Sequence, residues 1–266
     1  MRVFALLIMA VAGLNSHAAE KTAWKLVWSD EFNGAGLVDE ATWGYEKGFV
    51  RNKEAQYYTE KRPENVVMRD GNLVITARKE DFKENGKESK YTSGSINTKG
   101  KKSFYYGRIE TRAKLPMGQG NWPAIWMMGV EGGWPHCGEI DIMEHVWAHS
   151  NTVHATVHWS SPEKTKTDGN GHTSKGSTLK DQKPYTAFHI YAVEWNENQM
   201  KFFYDDTLYF TYDIDLAGQG AENPFRKPHY LLLNLAIGGS WGGKIDDAIF
   251  PCEYLIDYVR YYMPNT

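Results

Sequence analysis

Short runs of β-branched and aromatic residues, cut apart by Gly, Asn, Asp and Pro, recur from Trp24 to the end of the chain. Segments of that length and composition are strands, and their spacing is that of an antiparallel β protein. Candidate strands cover 24–28, 65–68, 73–78, 94–98, 106–114, 122–128, 139–145, 153–159, 188–195, 200–204, 207–212, 230–237 and 254–262. No long amphipathic helix competes with them. Asp70-Gly71-Asn72 and the stretch from Tyr204 to Thr207 have the residues of hairpin turns. The segment from Ser160 to Asp181, rich in Lys, Thr, Gly and Ser, reads as a surface loop. With no internal repeat and no linker, the pattern predicts one all-β domain, a two-sheet antiparallel β-sandwich.

The N-terminus does not belong to that pattern. Met1-Arg2 supplies a positive start, Val3 to Gly13 an apolar run and Ser16-His17-Ala18 a small-x-small cleavage site, the layout of a secretory signal peptide. Residues 1–18 are therefore set aside, and 19–266 form the expected domain. The apolar run is short of the ~20 residues needed to span a bilayer, and no Cys follows it to take a lipid. A secreted or periplasmic monomer is expected. Cys137 and Cys252 could pair in such a compartment or stay free and buried, and no CxxC is present to hold zinc.

A formal net charge of −3 offers no field to gather nucleic acid or anionic lipid. Ten Trp, 16 Tyr and 11 Phe instead suit a strand-rich protein or a sugar-binding groove.

The chemistry concentrates in Gly138-Glu139-Ile140-Asp141-Ile142-Met143-Glu144-His145. Three carboxylates interleaved with Ile and Met on a central strand are not a solvated charge run. Side chains alternate along a strand, so Glu139 and Asp141 share a face, while Glu144, five positions from Glu139, points away from it. A β-bulge near Ile142-Met143 returns Glu144 to the same face. Two glutamates so placed, with an aspartate between them, suit a retaining glycosidase, in which one carboxylate is the nucleophile and one carboxylic acid the proton donor. Crowded like charges should keep Glu144 protonated. A cation site or a stabilising network of acids is the other reading of the same spacing.

Trp122-Pro-Ala-Ile-Trp126-Met followed by Trp134-Pro-His-Cys-Gly-Glu139-Ile-Asp141-Ile-Met-Glu144 resembles the signature of glycoside hydrolase family 16, in the ExDxxE form of its laminarinase-like branch. Further segments agree in order across the chain: Trp28 to Gly34, Arg51 to Thr59, Gly71 to Arg78, Asn151 to His158, Asn234 to Gly243 and Asp257 to Arg260. The resemblance implies a β-jelly roll of the concanavalin A-like kind with a concave cleft, and retaining endo-hydrolysis of β-1,3- or mixed β-1,3/1,4-glucans. It implies Glu139 as nucleophile, Asp141 as assisting acid and Glu144 as acid/base. It also implies Trp122, Trp126 and Trp134 as sugar-stacking residues, with Asn52, Arg78 and His158 as polar sugar contacts. No cofactor is needed for catalysis. A structural calcium is implied at Glu31, the Gly71 carbonyl and Asp257.

Other readings carry less. His154 and His158 share a strand face, but no third ligand at metal spacing is evident, so zinc is not expected. The Gly238-Gly239 and Gly242-Gly243 pairs lack the Lys-Ser/Thr of a phosphate loop, and there is no GxSxG. Related machinery serves galactans and host O-glycans or transfers sugar to sugar. A non-catalytic carbohydrate-binding sandwich has no use for both Glu139 and Glu144.

Overall fold

Alternation along each strand decides which side chains enter the core and which reach the surface. The computed structural model describes residues 23–265 except 162, 165, 167 and 168, so the expected signal peptide lies outside the described residues. In chain order the strands are β1 (Trp24–Asp30), β2 (Gly44–Tyr45), β3 (Gln56–Tyr58), β4 (Val66–Arg69), β5 (Asn72–Glu84) and β6 (Lys87–Ser93). Then come β7 (Ser95–Asn97), β8 (Gly107–Lys114), β9 (Asn121–Gly129), β10 (Glu139–Glu144), β11 (Val153–Ser160) and β12 (His172–Leu179). The last are β13 (His189–Trp195), β14 (Gln199–Tyr204), β15 (Thr207–Asp213), β16 (His229–Ile237) and β17 (Cys252–Pro264).

They form two sheets. One has the order β12-β11-β10-β9-β16-β7-β2; the other runs β15-β14-β13-β8-β17-β5-β6-β3, with β1 added to β17 and β4 to β5. Pairing is antiparallel except between β3 and β6. The β4–β5 turn has Asp70 and Gly71 at positive φ (52° and 72°), the conformation that a two-residue hairpin of this type requires and that glycine adopts without penalty. Among the described residues no helix is long and apolar enough to cross a membrane.

The core fills the space between the sheets. On β9, Ile125 and Met127 point inward, and on β16 so do Leu231, Leu233 and Leu235. Their neighbours Ala124, Trp126, Tyr230 and Leu232 form a separate cluster on the opposite, groove-facing side. β10 breaks the alternation once. Ile140, Ile142 and Met143 all join the core, and the register to β9 slips between Asp141 and Met143. Two consecutive inward residues are the signature of the bulge expected from the sequence, and they set Glu144 on the face of Glu139 and Asp141. Because Met143 is fully buried, Met143→Ala is expected to cost about 2–5 kcal/mol. Urea unfolding checks this, and a loss below about 1 kcal/mol contradicts the packing of the bulge.

One expectation is corrected, and one left open is decided. The stretch from Ser160 to Asp181 is not loop throughout, because β12 pairs along the whole length of β11. As an edge strand, half open to solvent, it needs no apolar face, and its polar composition concealed it. Cys137 and Cys252 are both free and buried. Cys137 lies against Gly129 of β9, whereas the Cys252 thiol donates to Asn121 Oδ1 at 3.1 Å.

Candidate active site

The segment before β10 is seated by a close backbone approach. A Cβ on Gly129 would lie 1.9 Å from the Cys137 carbonyl oxygen, and the Gly129 N–H donates to the Gly138 carbonyl at 3.1 Å. Only glycine permits this, and it fixes the point at which Glu139 enters the sheet. Glu139 stands opposite Met128 on one side and His158 on the other.

Each of the three carboxyls has its own surroundings. Trp134 donates its indole N–H to Glu139 Oε2 at 2.5 Å. Asp141 is 2% exposed and has His158 Nε2 3.1 Å from its Oδ2. Burial, then the negative charge of Glu139 and a hydrogen bond with it, hold the Asp141 carboxyl well above the usual carboxylate range. Trp122 donates its indole N–H to Glu144 Oε1 at 3.0 Å. Burial, then the Asp141 charge, raise Glu144 well above its ordinary value, against the opposing pull of the Trp122 hydrogen bond. The site therefore retains protons on acids that would be ionised in water. His154, opposite Glu144 in β11, is pushed down to about 4 by burial and by His149, so it does not serve Glu144 as a cation near neutral pH.

A groove of about 540 Å³ opens over these groups. Its lining includes Asn52, Trp122, Trp126, Trp134 and His158, all expected from the sequence. The tryptophans differ in what they present. Trp134 is 46% exposed, but Trp122 is 9% and Trp126 5% exposed. Trp126 is built into the floor. Its N–H donates to Asn234 Oδ1 at 2.7 Å, and the Arg51 guanidinium lies 4.8 Å from its ring centroid. Asn234 in turn donates to Tyr58 Oη at 2.9 Å. Trp122 meets Trp241 edge to face at 5.5 Å.

Arg51, Met128, His172 and Trp241 also line the groove and were not expected from the sequence. Arg51 and Trp241 sit inside recognised motifs, which is the signal that could have found them. His172 lies in the segment read as loop and had none. Trp147 packs on Tyr185, with ring centroids 5.2 Å apart, and does not line the groove. Arg78 is in the other sheet, on β5 opposite Thr92, and likewise stays away from it.

Both side chains among the expected calcium ligands are engaged otherwise. Both Glu31 carboxylate oxygens accept from Arg260, at 3.0 and 2.8 Å, and Asp257 pairs with Arg112. As arranged, these side chains do not fit a calcium site; one there requires both pairs to open, and no step of the chemistry runs through it.

The model of the family "Glycosyl hydrolases family 16" matches residues 53–260. The chain belongs to that family. It is 40% identical to a beta-glucanase of Rhodothermus marinus over 98% of this chain and 94% of that protein. Among solved structures, SCLam, a non-specific endo-beta-1,3(4)-glucanase, superposes with a TM-score of 0.82 at 42% identity, covering 91% of this chain and 92% of that one. An endo-acting O-glycanase expressed by human gut microbiota superposes with a TM-score of 0.83 at 38% identity, covering 91% of each chain. A family 16 enzyme cleaves glycosidic bonds, so the carboxyls of β10, on one face beneath an aromatic-lined groove, have chemistry to perform.

Proposed function

We propose that the chain is an exported, retaining endo-β-glucanase that hydrolyses β-1,3-linked or mixed β-1,3/1,4-glucans by double displacement. The observation that carries this is the bulge of β10, which puts Glu139, Asp141 and Glu144 on one face of the groove. Glu139, oriented by Trp134, attacks the anomeric carbon of the bound sugar. The bond to the leaving sugar breaks as Glu144 gives its proton to the departing oxygen. Glu144, now ionised, takes a proton from water; that water attacks the same carbon and frees Glu139. Asp141 holds a proton against Glu139 and keeps it, so that the hydrogen bond between them orients the nucleophile. All of these groups come from one chain, so a monomer suffices.

The choice of glucan rests on the Rhodothermus marinus beta-glucanase and on SCLam. The sequence pattern of residues 1–18 supports export. Similarity to the gut O-glycanase favours a second reading, in which the same machinery acts on host O-glycans. The two are separated by product analysis after incubation with laminarin, barley mixed-linkage glucan, agarose and mucin O-glycans side by side. Short oligosaccharides from laminarin are expected. Cleavage of mucin glycans or agarose alone moves the specificity but keeps the machinery, and cleavage of none leaves a carbohydrate-binding domain.

A further inference from the structure

We propose that the groove contains a transition-metal site, formed by Glu139, Asp141 and His158, at which zinc shuts the enzyme off. One ligand atom from each of these residues lies within 4.8 Å of the others. Sequence spacing conceals the set because its members come from neighbouring strands. Glu139 is the direct cross-strand partner of His158, and Asp141 is two residues along the same face.

Two observations separate this cluster from an ordinary group of surface acids. Asp141 Oδ2 is buried, lies 3.1 Å from His158 Nε2, and has no hydrogen-bond partner. The second is the support behind the imidazole. His158 Nδ1 lies 2.9 Å from His172 Nε2, and the two rings stack within 16° of parallel. With His158 Nδ1–H donating to His172, the Nε2 lone pair faces the carboxylates, which is how a ligating histidine is usually held.

One imidazole and two carboxylates suit zinc or its neighbours in the transition series and not calcium, which takes oxygen alone. Zinc bonds are about 2.0–2.2 Å long, so the three groups close on the ion by side-chain rotation. A fourth position faces the groove and takes water. Zinc there takes one carboxylate oxygen of Glu139 and draws off the charge that attack requires, so binding and turnover exclude each other. These three ligands are the same whichever glycan the groove accepts.

The test is isothermal titration of the EDTA-treated protein with ZnCl2, and separately with CaCl2, beside zinc inhibition of hydrolysis. One zinc per chain is expected, with inhibition reversed by EDTA and no comparable binding of calcium. His158→Gln is expected to weaken zinc binding at least about tenfold. His172→Phe keeps the stacked ring but removes the nitrogen behind His158, and is expected to weaken it about 10–100-fold. His149→Gln, at an exposed histidine, is expected to bind zinc as the parent does. The proposal is overturned if the parent binds no zinc, if calcium binds equally, or if both His158→Gln and His172→Phe bind zinc unchanged while retaining the parent circular dichroism. Because binding is read as heat, the outcome does not depend on which glycan is the substrate.

Discussion

Replacing Glu139 by alanine removes more than about 10⁴-fold of kcat on a β-glucan while leaving the fold intact. The loss is large because the covalent intermediate has no other carboxylate to form on. Asp141 is buried at the wall and keeps its proton, and Glu144 is committed to Trp122 on the leaving-group side. Stability is expected to hold or rise, since the Glu139 charge is one of the forces raising Asp141. Taking that charge away relaxes a repulsion maintained for catalysis. Azide gives the role a readout of its own. In the alanine variant a small anion can enter from the side Glu139 occupied and displace an activated aryl leaving group, yielding an α-glycosyl azide from a β-glycoside. Parent-level turnover in Glu139→Ala, or a β-azide product, removes Glu139 from the nucleophile's place. A melting temperature several degrees below the parent's contradicts the electrostatic account.

The face of β10 was readable from sequence because parity along a strand is a hard constraint. Three acids among Ile and Met are tolerated only on one polar face, and five positions between Glu139 and Glu144 demand one extra residue. The core positions of Ile142 and Met143 realise that bulge. Pairing across strands is a different kind of information. That Glu139 faces His158 depends on register, which the loops and the bulge set together and which no single segment records. β12 stayed hidden because an edge strand open to solvent carries Thr, Ser, Lys and Gly, the same residues as a loop. With β12 went His172 and hence the support behind His158. Trp126 shows a third limit. Its place in the groove was visible, but whether its ring is open to a sugar depends on where Arg51 lies, and the two meet only in the folded chain.

Glutamine in place of Glu144 is expected to slow β-glucan hydrolysis about 10²–10⁴-fold, the usual contribution of a positioned general acid. An aryl glycoside whose leaving group needs no proton should lose far less in the first step, so the two substrates separate proton donation from binding. The pH profile supplies the stronger evidence. Burial and the Asp141 charge hold the Glu144 carboxyl well above its ordinary 4.5. In the parent, kcat/KM therefore falls as pH rises through that elevated value, because the donated proton is lost. The amide does not titrate, so this alkaline limb disappears in Glu144→Gln. Stability must follow the same proton. A carboxyl whose pKa is raised by folding stabilises the fold fully only below its unfolded value, and that contribution is lost as pH rises toward the folded one. Thermal unfolding across the pH range should thus find parent and variant nearly equal under acid conditions, with the variant gaining as pH rises through the Glu144 transition. If the alkaline limb survives unchanged in Glu144→Gln and the two melting curves keep a constant offset, the group donating the proton is another one, and the bulge of β10 serves packing alone.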